Sequence, residues 1–227
     1  MKRWIRRLIW ILAALAALLL LLIFAYRVVP PPLTPLMAIR SIQGQPLVKS
    51  WLPADAIPAD MFRAVIASED AKFCRHHGFD WEALDEDLER YEEGEGHLRG
   101  ASTISMQTAK NLFLWPGRTW LRKIFEAPIT VLLELWMPKK RIIELYLNIV
   151  EFGPGIYGVE AASQHAFHHS ARTLNRREAA LLAAILPSPL KSSAAKPSPY
   201  IQRRVPVIEG RMEAVPFERR NICAARG

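Results

Sequence analysis

From Leu8 to Tyr26 the chain runs without a charged residue, close to the roughly 20 apolar positions that cross a bilayer as a helix. Lys2, Arg3, Arg6 and Arg7 precede the run and Arg27 alone follows closely, which by the positive-inside rule leaves the N-terminus in the cytoplasm and the remainder outside. A cleaved signal peptide is the alternative. The apolar run exceeds a signal core, and Phe24-Ala25-Tyr26-Arg27 makes a poor cleavage site. The pattern therefore predicts a basic tail over 1–7 and an uncleaved anchor over 8–26. Pro30, Pro31, Pro32 and Pro35 follow and predict a stiff, extended stalk within a membrane-proximal segment over 27–50.

Beyond the stalk the period becomes helical. Pro58 is placed as a first-turn proline with Asp55 upstream and Asp60 in the first turn. Phe62, Ile66 and Glu69 then lie at i, i+4 and i+7, so Glu69 extends an apolar face. Asp70 points about 100° away and reads as a helix-end hydrogen-bond acceptor. The acidic stretch from Glu82 to Gly96 predicts a solvated helix followed by a mobile loop. Amphipathic helices are predicted from Arg122 to Glu134 and from Lys140 to Asn148, with Pro138 between them. Glu178 to Leu186 reads as a short buried helix stopped by Pro187. Period-2 alternation is scarce, so the class is mostly α, with a folded domain over 51–200. From about Val205 the amphipathic period fails, and 201–227 reads as a divergent or disordered tail.

Composition adds three constraints. The 227 residues, 51% hydrophobic and 23% charged, suit one domain of ordinary core size plus an appendage. The formal net charge of +8 favours an anionic lipid surface or anionic ligand; nucleic acid is not expected outside the membrane. Cys74 and Cys223 are too few for a disulfide framework and lack metal-like spacing. Whether they pair is left open by the sequence.

Candidate chemistry begins with Glu69. A carboxylate on an inward face loses hydration, and the raised pKa suits a base near neutral pH. "GASTISMQTAKN", residues 100 to 111, can offer hydroxyl, amide and ammonium donors to an anion; it lacks P-loop spacing. Arg118, Arg122 and Lys123 follow, with Glu126 at i+4 from Arg122 and i+3 from Lys123. Taken alone, that spacing describes an ordinary surface ion-pair ladder worth a few tenths of a kcal/mol. Three further patterns are set aside. Ser188-Pro-Leu-Lys191 matches S-x-x-K without its companion motifs. Asp85-Glu86-Asp87 sits in a solvated acidic run, and His165, His168 and His169 have helical spacing but no H-E-x-x-H.

Together these segments resemble the peptidoglycan glycosyltransferases of family 51, and among them the monofunctional biosynthetic transglycosylases, from about Trp51 to Tyr200. "EDAKFCRHHGFD", "GASTISMQTAKN", "RKIFE", "KKRIIELYLNIVEFG" and "AALLAAILPSP" match five motifs in order. The resemblance implies a lysozyme-like helical head with a smaller membrane-proximal lobe. The implied activity polymerises lipid II into linear glycan, with inversion and release of undecaprenyl pyrophosphate. It makes Glu69 the general base and Glu126 the second carboxylate. Lys110, Arg118, Arg122 and Lys123 would bind pyrophosphate; Ser102, Thr103, Gln107 and Asn111 would line the donor subsite. Asp70, Phe73 and His76 would shape the first motif.

The implied partners are lipid II, the growing glycan strand, membrane lipid and other cell-wall synthesis and division proteins, in the inner membrane with a periplasmic domain. Some members use a divalent cation, Mg or Mn, at the pyrophosphate; no spacing here identifies metal ligands. Three departures stand out: Met106 replaces a common glutamine, Pro128 could kink the helix presenting Glu126, and the tail diverges. A non-catalytic scaffold and a lysozyme-like peptidoglycan-cleaving enzyme are the alternatives.

Overall fold

The computed structural model describes residues 2–92, 102–117, 119–218 and 222–223. The described part is mostly helical, as the periodicity predicts. Helix α1 (Lys2–Tyr26) is followed by α2 (Pro35–Ile42), strand β1 (Val48–Lys49), α3 (Ala59–Glu69) and α4 (Trp81–Glu92). Next come α5 (Ile104–Phe113), α6 (Trp120–Trp136) and α7 (Lys139–Ile149). The chain closes with β2 (Glu151–Gly153), β3 (Ile156–Tyr157), α8 (Val159–Phe167), α9 (Arg176–Ile185) and α10 (Pro199–Met212).

Among the described residues α1 is the one helix long and apolar enough to cross a membrane. It is tied to the head at its end: Phe24 packs on Trp136 of α6, ring centroids 4.6 Å apart, and Ile23 is fully buried. The expected stalk is largely absent as an extended spacer. Thr34 caps α2 by accepting from the Met37 N–H at 3.4 Å, and Pro35 opens the helix, where a missing N–H costs nothing. Lys49 Nζ donates to the Pro32 carbonyl at 3.2 Å, so the prolines lie against the head instead of spanning free space.

α3 packs on α9 and α10, while α5 packs on α6 and α7. Pro58 caps α3 one residue earlier than expected. The 201–227 expectation needs correction over its first half, because α10 is a helix buried at Ile201, Val205, Ile208 and Met212. Pro206 costs about 3 kcal/mol inside a helix, but it lies on the exposed face. Each buried aliphatic side chain returns about 1.5–3 kcal/mol, so packing outweighs the interruption.

Cys74 and Cys223 form a disulfide. Phe217 stacks on Phe62 of α3 with ring centroids 5.4 Å apart, laying the chain beyond α10 over the helix that ends in Glu69.

The three short strands form one sheet in the order β1-β3-β2, with Val48 opposite Ile156 and Glu151 opposite Tyr157. Gly158, at φ +83, brings its backbone against α7: a Cβ there would meet the Asn148 carbonyl oxygen at 2.8 Å. Asn148 is fully buried; its Oδ1 accepts from the Leu52 N–H at 2.7 Å and its Nδ2 donates to the Leu52 carbonyl at 2.9 Å. That reciprocal pair pins the entry to the head onto α7.

Candidate active site

Asp70 ends α3 and receives the roles of a junction. Its Oδ2 accepts from the Ile104 N–H at 2.9 Å, at the start of α5, where a carboxylate also meets the positive end of the helix. Its Oδ1 lies 2.9 Å from His76 Nε2. The Gly78 N–H donates to His76 Nδ1 at 3.2 Å, so the tautomer with hydrogen on Nε2 donates to Asp70. The helix-end reading of Asp70 therefore agrees with the structure.

Thr103 completes the junction: its hydroxyl caps α5 by accepting from the Met106 N–H at 3.1 Å and donates to the Gly78 carbonyl at 2.6 Å. Thr103 and Asp70 are buried, which makes them builders of the cleft wall. Phe73, expected with the substrate-facing residues, has no exposed surface. Lys139 Nζ lies over its ring, 4.4 Å from the centroid, so its contribution is support from behind.

With the wall fixed, α5 presents Gln107 and Lys110 one turn apart. Gln107 Nε2 donates to Glu69 Oε2 at 3.0 Å. Burial pushes the Glu69 carboxyl above its usual range, against the Gln107 hydrogen bond and the positive charges of Arg204 and Lys110. The inward placement read from spacing is what the structure shows. Met106 removes one polar side chain from this turn, yet Gln107 alone reaches the carboxylate. Asn111 is buried behind Lys110.

The second carboxylate stands on α6. Glu126 is 2% exposed and Arg122 5%, which replaces the surface-ladder expectation with a buried ion pair. Arg122 Nη1 bonds Glu126 Oε2, Lys123 Nζ donates to Glu126 Oε1 at 2.7 Å, and Lys123 also reaches Ser102 Oγ at 3.2 Å. Arg122 Nε donates to the Gly117 carbonyl at 2.8 Å, so the guanidinium is held at both ends. Pro128 stands inside α6 without ending it. Burial, then the nearby Arg122 and Lys123 charges, push the Lys110 ammonium below its usual value, while Glu126 and Glu69 oppose that shift. Such a cluster, with Arg122 and Lys110 desolvated and Lys123 exposed beside them, favours an arriving polyanion.

Arg118 and the predicted loop up to Gly96 lie outside the described residues from Glu93 onward. Among the described residues no group of three or more His, Cys, Asp or Glu could hold a metal. Both Glu126 oxygens are engaged by cations, so among the described residues Glu126 is not arranged as a metal ligand. His169 pairs with Glu178, 3.1 Å away, far along the chain from this cleft. Asp85 and Glu86 are exposed on α4.

Sequence reasoning missed three groups. Arg204 of α10 donates to Ser68 Oγ at 3.1 Å, beside Glu69. Tyr146 of α7 donates to Gln107 Oε1 at 3.2 Å. Glu134 accepts from Lys139 at 2.6 Å and from Ser105. The Ile201, Val205, Ile208, Met212 spacing was the signal for α10 and hence for Arg204.

A family model described as Transglycosylase matches residues 37–213. The chain is 53% identical over 214 residues to a biosynthetic peptidoglycan transglycosylase of Rhodospirillum centenum, covering 94% of this chain and 92% of the relative. A protein of the same description from Caulobacter vibrioides is 51% identical over 211 residues, covering 90% and 91%. Another from Pseudomonas aeruginosa is 46% identical over 217 residues, covering 93% and 91%. With its match spanning α2 through α10 and relatives aligned over nearly their whole length, the chain belongs to the transglycosylase family.

Proposed function

We propose that this peptidoglycan transglycosylase polymerises lipid II, with Glu69 as general base. The observation that carries the reading is a half-buried Glu69 with one polar side-chain donor, placed within electrostatic reach of a cation cluster around Glu126. Glu69 takes the proton from the 4-hydroxyl of the acceptor sugar. That oxygen attacks the anomeric carbon of the lipid-linked donor, the bond to pyrophosphate breaks with inversion, and the leaving group keeps the electron pair. Lys110, Arg122 and Lys123, with Arg118 as a further candidate, stabilise the charge that grows on pyrophosphate. Glu126 holds Arg122 and Lys123 in place. Ser102, Gln107 and Asn111 border the donor subsite.

The setting follows from the same chemistry. α6, whose Trp136 packs on Phe24 of α1, exposes Leu121, Ile124, Phe125, Val131 and Leu135, which supports a lobe dipping into the lipid interface. The disulfide supports an oxidising compartment, consistent with an inner-membrane anchor and a periplasmic head. A wall-cleaving reading is disfavoured because hydrolysis of glycan releases no pyrophosphate for these cations. The test is polymerisation of labelled lipid II by detergent-solubilised protein. Glu69→Gln should lower the rate about a thousandfold, within the 10²–10⁴ of ordinary base catalysis, with folding intact. Undiminished polymer from that variant would sink the mechanism.

A further inference from the structure

Gln107 poses a problem of direction. Its amide has nearly isosteric ends, one donating and one accepting. An ionised Glu69 only accepts, so the amide must present Nε2, as it does at 3.0 Å. Once Glu69 has taken a proton it becomes a donor, and a free amide would turn its oxygen toward it. That turn would stabilise the protonated acid and hold the proton in place. The other end of the amide meets Tyr146, whose hydroxyl lies 3.2 Å from Gln107 Oε1. Tyr146 is fully buried on α7. Burial, reinforced by the negative charges of Glu69 and Asp70, pushes its phenol well above the usual value, so it remains a neutral donor across the working range.

We infer that Tyr146 is a positioning residue: by donating to Gln107 Oε1, while the Ser102 carbonyl accepts from Gln107 Nε2 at 3.5 Å, it holds the amide with its NH2 toward Glu69. Gln107 then favours the ionised base and gives the departing proton no acceptor. The reading rests on Glu69 as the base, and it adds a residue from α7 that touches no reacting atom. Other charges facing Glu69 are Lys110 from α5, Arg204 from α10 and Asp70 from its own turn; none of them bonds the Gln107 oxygen.

The experiment is Tyr146→Phe, which deletes the hydroxyl and keeps the ring. It is read by carbon NMR titration of the Glu69 carboxyl and by the pH profile of lipid II polymerisation. The Glu69 titration and the acid limb of kcat/KM should both move upward by about half to one pH unit, the ordinary worth of one neutral hydrogen bond. The rate above the limb should stay within about threefold. In a Gln107→Leu background, Tyr146→Phe should add no further shift. If Tyr146→Phe fails to fold, 3-fluorotyrosine at position 146, a stronger donor of similar shape, should move the titration downward. An unmoved titration, or an equal shift without Gln107, overturns the proposal. Activity surviving in Glu69→Gln would instead overturn the base assignment and leave the titration result standing, so the two failures are distinguishable.

Discussion

Glu69 and Glu126 carry the same functional group in opposite surroundings, and both lie within electrostatic reach of Lys110. Glu69 sits at a helix end with one neutral amide donor, and desolvation dominates its titration. Glu126 is more deeply buried but bonded to two cations. The difference teaches that burial alone does not decide what a carboxylate is for. A desolvated acid with weak partners is shifted toward its protonated form, whereas one bonded to Arg and Lys is a buried ion-pair partner.

The largest effect should come from the element that braces only the Glu69 side. Replacing Cys74 and Cys223 by serine, which releases a link spanning 149 residues, should cost about 3 kcal/mol. Hydrogen exchange should quicken over residues 70–78 and stay unchanged over 120–126. Equal loosening on both sides would break the comparison.

Next comes Glu126→Gln, which leaves the Arg122 guanidinium buried without its counter-charge. Breaking such a pair is strongly destabilising, and with the amide retaining part of the hydrogen bonding the loss should be about 2 kcal/mol. Calorimetry would register this as a fall in Tm.

The smallest effect has the opposite sign. Because burial raises the Glu69 pKa, the folded state holds its proton more tightly than the unfolded chain. That stabilising contribution is present in acid and is lost as pH rises from the usual carboxylate value, 4.5, through the raised one. Glu69→Gln should therefore gain up to about 1 kcal/mol at pH 7, roughly 2–4 °C in Tm, and gain nothing in acid. A Tm difference independent of pH would contradict this assignment.

Local spacing made the inward placement of Glu69 legible, but it described Arg122, Lys123 and Glu126 only as a surface ladder, and their burial came from the structure. Arg122, Lys123 and Glu126 share one helix face, and Glu69 continues the face of Phe62 and Ile66. What spacing could not supply was depth: Phe73 and Lys110 look alike as motif residues, yet one is core and the other borders the cleft. Nor could it supply contacts between distant segments. Arg204 meets Ser68 across a separation that no helical period reports. Pro206 and Gly210 obscured α10 because a local penalty is visible in sequence whereas the α3 and α9 surfaces that repay it are not. The disulfide was open for the same reason.

Arg141 joins the anchor to the head. Its guanidinium donates to the Tyr26 carbonyl at 2.8 Å and the Val29 carbonyl at 2.9 Å, pairs with Glu144 at 2.8 Å and lies over the Trp51 ring. One side chain thus ties the last turn of α1 and the residues just after it to the wall of the head. With α1 seated in a bilayer, the cleft would keep one height and one tilt. For a reactant carried on a lipid tail, encounter then becomes a planar search, governed by density in the sheet instead of concentration in the bulk.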